Sequence, residues 1–131
     1  MPVYQDIAPP APKTFEAETA CVLNRMVKLG TGSQKVVPCS AITDQAVGVA
    51  VESADPVAGN SAVSVWLFNE GGIVPMEAAA AIALHAAVAP SVNGRAQTSV
   101  ATQFTRGIAL KAAVGAGEII PVLVSVVDQA V

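Results

Sequence analysis

"VGVAVESADPVAGNSAVSV", Val47 to Val65, and "RGIALKAAVGAGEIIPV", Arg106 to Val122, share one skeleton. In each, Gly, an aliphatic residue, Ala and a second aliphatic residue lead to a charged residue, a small residue and Ala. A loop ending in Gly then gives way to a β-branched run. A glycine inside a strand lets it bend or lie close against another backbone, which is the role expected of Gly48 and Gly107. Ala50 and Ala109 keep the adjoining layer thin. Gly59 and Gly117 supply loop conformations closed to residues with a Cβ. Two related strand, loop, strand units predict a mainly β fold, a small β-barrel or β-sandwich closed by pseudo-symmetric halves.

The rest of the chain agrees with this class. From Ala20 onward, short β-branched runs alternate with Gly, Pro, Asn and Ser, the spacing of an all-β domain. "ACVLNRMVKLG" and "SQKVVPCSAI" flank Gly30-Thr31-Gly32-Ser33 and read as a first hairpin. "AVGVAVESA" and "SAVSVWLF" are strands on either side of a loop from Asp55 to Asn60, and Asn69 to Gly72 turns the chain into "IVPM". Asn93-Gly94, between "AAVAPSV" and "RAQTSVAT", is the strongest short hairpin signal, with Pro90 marking an edge or a bulge. "MEAAAAIALHAAVA" is the exception: four consecutive alanines after Glu77 predict one short Ala-rich helix over Glu77 to Ala83.

Residues 1–19 differ again. Pro2, Pro9, Pro10 and Pro12 remove backbone donors and fix φ, which predicts an extended Pro-rich arm ahead of a single β-rich domain over 20–131. The length of 131 residues suits one core, since single domains commonly take about 100 to 150. Hydrophobic residues make up 53% but aromatics only 4%, so the apolar content is mostly small Ala and Val.

Several function classes fall away on composition. The net charge is −3, and Lys and Arg are scattered singly, without the cationic stripe that nucleic acid requires. The apolar run Ala78 to Val88 is broken by His85 and falls short of the roughly 20 residues that span a bilayer, so no membrane segment is expected. The N-terminus lacks the basic start and apolar stretch of a secretion signal, which makes the cytoplasm the expected site of synthesis. Cys21 and Cys39 have no CxxC spacing and are expected to be free, partly buried thiols.

No catalytic residue, metal ligand or cofactor site is assigned. His85 is the single histidine and has no nucleophile motif beside it. Two cysteines and one histidine do not make a zinc site. The glycines in "GTGS" and "GAG" lack the Lys of a phosphate loop. A biotinyl or lipoyl carrier domain is one alternative, because Met26-Val27-Lys28 resembles its Met-Lys modification site. The carrier lysine must stand at a hairpin apex, however, and the apex here is Gly30 to Ser33. A small enzyme of unknown chemistry is the other alternative, against which stands the poverty of His, Asp and Ser constellations.

The order of the motifs carries a resemblance. "MVKLGTGSQKVVPCSAITDQAVGVAVESA", "GNSAVSVWLFNEGGIVPMEAAAAIA", "NGRAQT" and "RGIALKAAVGAGEIIPVLV" together resemble the small cement or decoration proteins of tailed-phage capsids, over about residues 25 to 124. The chain departs from that pattern at Leu84-His85, where such proteins often carry Gly-Asp. The resemblance implies a virion protein on the outer surface of the capsid. It would bind the major capsid protein, tie neighbouring subunits together, and assemble with itself, as a trimer or a dimer. In that setting Tyr4, Ile7 and Phe15 are expected to anchor the arm on a neighbouring subunit, each filling a shallow pocket.

Overall fold

A computed structural model describes residues 9, 11–41, 44–99 and 105–127. Among these residues ten strands follow one another: β1 (Lys13–Ala17), β2 (Met26–Leu29), β3 (Lys35–Pro38), β4 (Gly48–Ala50), β5 (Ala62–Leu67), β6 (Ile73–Glu77), β7 (Ala87–Pro90), β8 (Ala96–Thr98), β9 (Thr105–Ala109) and β10 (Ile119–Val127). The first five close into a barrel in the order β1-β3-β2-β4-β5, and the second five form a sheet in the order β6-β10-β9-β7-β8. The mainly β class and the barrel agree with the sequence reading.

The two halves repeat one another in register. Gly48 pairs with Leu67 and Ala50 with Val65, as Gly107 pairs with Val124 and Ala109 with Val122. β2 meets β4 through Met26–Val49 and Val27–Gly48, and β7 meets β9 through Ala87–Ile108 and Val88–Gly107. The bridges Cys21–Ala54 and Ile82–Ala113 correspond as well. So do the parallel contacts Ala17–Val36 and Ala78–Ala96, the second of which joins β6 to β8 and draws the second sheet round into a barrel. Even the turns before β2 and β7 agree: Asn24 has φ 66° and His85 φ 67°. The repeat visible in sequence as two hairpins thus extends over all five strands.

Alternation explains the cores. In β2 and β5 every second side chain points into the first barrel, where Val27, Val36, Ala50, Val63 and Val65 join Ala17, Cys21 and Ala54 in one buried cluster. In the second half Met76, Val88, Ala96, Ala109, Ile120 and Val122 take the matching places, in a cluster that also holds Met26, Val49 and Phe68 from the first half. The length predicts one core, and the described residues form two apolar clusters. Ala and Val are small enough that about 55 residues can wrap a barrel round a thin interior.

Two expectations are corrected. Glu77–Ala83 is not a helix: Glu77 ends β6, and the following backbone groups bond across strands, Ala78 N to Glu118 O at 2.7 Å, Ala79 N to Ala96 O at 2.8 Å and Ile82 N to Ala113 O at 3.0 Å. A helix of two turns is too short to be held by propensity alone. Of the four alanines Ala78 is wanted for its size, because it is fully buried where the barrel closes. The arm, in turn, cannot run to residue 19, since β1 is a barrel strand paired antiparallel with β5 and parallel with β3. Thr14 and Phe15 favour a pleated strand, and Ala17 lies in the core. The residues ahead of β1 that carry Tyr4 and Ile7 lie outside the described residues. Pro90 closes β7 two residues beyond Val88, the last that β9 engages, and its partner on β8 is Ala96.

Candidate functional site

The residues singled out in sequence do not converge on one place. Gly48 and Gly107 hold equivalent positions in the two barrels, where strands come too close for a side chain. A Cβ on Gly48 would lie 2.4 Å from Trp66 O, and one on Gly107 would lie 2.4 Å from Val122 Cγ1 and 2.7 Å from Leu123 O. Gly59 and Gly117 have φ of 89° and 92° with open space around them, so the backbone angle alone demands glycine there. Phe15 is half-buried in β1, packed against the first core cluster.

Polar side chains serve mainly to tie loops. Glu18 accepts from the backbone N–H groups of Thr31 and Gly32 and from the Thr31 hydroxyl, at 2.9 to 3.0 Å. Those donors, the Gly32 N–H foremost, hold its carboxyl below the usual 4.5. Asp44 accepts from Ser40 N and Ala41 N and pairs with Lys28 at 3.1 Å. Partial burial pushes its pKa up, but the Ser40 N–H, the Lys28 bond and the Ala41 N–H together outweigh that and leave it lowered. Glu118 accepts from Val114 N and Gly115 N in the corresponding late loop.

At the seam between the barrels Glu77 accepts from Arg25 Nε and Nη2 at 3.2 and 3.3 Å, and lies 2.8 Å from Arg95 Nε. Its backbone N–H donates to Asn24 O across the same seam. Burial pushes the Cys21 thiol up to about 11, and burial with the nearby Asp44 charge pushes Cys39 up to about 12, so neither is a poised nucleophile. His85 is exposed, at the tip of a turn. Among the described residues no cluster of His, Cys, Asp or Glu is arranged to hold a metal ion, and no helix is long and apolar enough to cross a membrane.

Two surface features stand out. The first is a cavity of about 820 Å³ at one end of the first barrel, walled by Phe15, Leu29, Val47, Leu67 and the adjoining Phe68, with Arg106 and Val124 on the side of the second barrel. Arg106 is itself buried, and it stands where the first repeat has Val47. The second is an apolar row on the outer face of the second barrel, in which Ala87 pairs with Ile108, Ile108 with Leu123, and Leu123 with Ile73. Leu123 is 40% exposed, and Leu110 and Ile119 nearby are also open to solvent. Sequence reasoning missed both features. The alternation in "EIIPVLV", with Ile120 and Val122 buried and Ile119 and Leu123 exposed, held the signal for the row, but without a known partner strand the two faces cannot be told apart.

No protein-family model matches the chain, and no curated protein matches it in sequence. A solved structure does match in shape: the N base of head fiber gp8.5 in bacteriophage phi29, with a TM-score of 0.68 at 16% identity. The alignment covers 88% of this chain and 93% of the other, so the architecture of the two proteins is similar over nearly their whole length.

Proposed function

We propose that this protein is a structural, non-enzymatic subunit of a phage head, a cement protein on the outer capsid surface that ties neighbouring major capsid subunits together. The observation that supports this reading best is the likeness in fold to a phage head fiber base along almost the whole of both chains. The order of the sequence motifs points the same way. The reading includes a homotrimer, and an arm ahead of β1 in which Tyr4 and Ile7 reach a neighbouring subunit. A lattice site that spans several capsid subunits makes individually weak contacts effective. Co-sedimentation tests it: the protein is expected to pellet with assembled heads and not with free major capsid protein. Equal binding to both would overturn the proposal. Because β1 begins at Lys13, a test of the arm has to stop short of it. Deletion of residues 1–10 is expected to leave thermal stability unchanged and weaken head binding.

The same likeness favours a second reading, in which the two barrels are the base of a fiber that projects from the head. Heating of decorated and bare heads separates the two. A cement raises the temperature at which heads rupture, whereas a fiber base leaves it unchanged.

A further inference from the structure

The internal repeat shows what the cavity and the apolar row are for. On the outer face of the first barrel, Met26, Val49 and Trp66 form a cross-strand row, Met26 pairing with Val49 and Val49 with Trp66. Met26 and Val49 are fully buried, because with Phe68 they share one cluster with Met76 of the second barrel, against which Val124 also packs. The row of the first barrel is thus seated against one end of the second.

Each partner in that contact has a counterpart on the same chain that is unmatched among the described residues. The strand registers place Ala87, Ile108 and Leu123 where the first barrel has Met26, Val49 and Trp66, and this row is only partly covered. They likewise place Phe15 and Leu67 where the second barrel has Met76 and Val124. Phe15 and Leu67 wall the cavity of about 820 Å³. The cavity also reaches Phe68 and Val124, so whatever fills it continues the established contact between the barrels.

We infer that the Ala87–Ile108–Leu123 row of one copy of this chain seats in the Phe15–Leu29–Leu67 cavity of a second copy, repeating between chains the contact already made within one. The association is head-to-tail: each chain offers one row and one cavity. Such contacts run on from chain to chain and close into a ring where the rotation permits. The inference deepens the self-assembly part of the proposed function by naming its surfaces, and it can be tested without any capsid.

Leu123 and Leu29 are 40% and 62% exposed, so Leu123→Asp and Leu29→Asp should fold, which circular dichroism checks. By sedimentation equilibrium at about 100 µM, well above the Kd of a micromolar contact, the wild type is expected at a multiple of its 13.2 kDa chain mass. Each variant alone is expected at the mass of one chain. An equal mixture is expected to give a heterodimer and stop there, because the intact row of Leu29→Asp meets the intact cavity of Leu123→Asp and no further pair remains. A mixture that stays monomeric, or either variant retaining the wild-type mass, would overturn the inference. So would a monomeric wild type, and a loss of thermal stability on deleting residues 1–10 would then identify the chain's own N-terminal segment as the occupant. Failure here leaves head binding to be decided by co-sedimentation, so the two proposals stand or fall separately.

Discussion

At the scale of single residues, the four glycines of the repeat divide into two kinds by what a methyl group would meet. At Gly107 it would press on the side chain of Val122 and the carbonyl of Leu123, and a backbone oxygen cannot move without parting β9 from β10. Gly107→Ala is therefore expected to cost about 3 kcal/mol, as overpacking of a tight core does. Gly117→Ala meets no neighbour and loses only the left-handed backbone preference, about 1 kcal/mol. Urea denaturation of the two variants gives the comparison, with Gly107→Ala expected to have the lower midpoint at unchanged m. Both roles were legible in sequence, because a Gly in a β-branched run and a Gly ending a loop differ in their neighbours. The φ of 67° at His85 was not legible, since only superposition on Asn24 exposes that turn.

At the scale of elements, local signals served well where the chain turns back on its immediate neighbour. Gly30 to Ser33 and Asn93-Gly94 each join strands that pair with one another, β2 with β3 and β7 with β8. They served badly where pairing is distant: the alanines after Glu77 have helical propensity, yet Ala96, Ala113 and Glu118 claim their backbone groups. Phe15 reads as part of an arm for the same reason, its partner Val63 lying far along the chain. The β2–β3 turn illustrates a different long-range dependence. Glu18, just past β1, holds that turn with its carboxylate, whose pKa is lower in the folded protein than the usual 4.5. A depressed carboxyl stabilises the fold above its unfolded pKa, and that contribution is lost as pH falls through the folded value. Wild type should therefore have a higher thermal midpoint than Glu18→Gln above pH 4.5, and the gap should close as the solution is made more acidic. A gap independent of pH would mean that charge has no part in holding the turn.

At the scale of the whole molecule, the second apolar cluster is completed by side chains that belong to the first barrel. Met26 lies on the outer face of β2 but is fully buried, so truncating it leaves a void between the halves. Met26→Ala is expected to cost about 3 kcal/mol, the range of large-to-small changes in a packed core. Because the contact joins both barrels, one unfolding transition should move to lower temperature in calorimetry, with no early separate melting of either half. The duplication itself was half-visible in sequence. The fourth strand of each repeat keeps its Gly and Ala because close packing requires them, whereas the first three diverged to Lys13 against Val74, Met26 against Ala87 and Val36 against Ala96.

The connector between the barrels, Phe68 to Gly72, is five residues long and ends on two glycines with φ of 75° and 104°. So short a tether presents each half to the other at an effective concentration in the mM range, about the upper end for flexible links. The contact of the first row with the second barrel therefore needs little intrinsic affinity to be filled at all times. The same contact between separate chains has only the bulk concentration to draw on. One geometry, used twice, thus assembles in a fixed order: the halves close on each other at any dilution, and chains join where many are gathered at once, as on a surface that repeats their docking site.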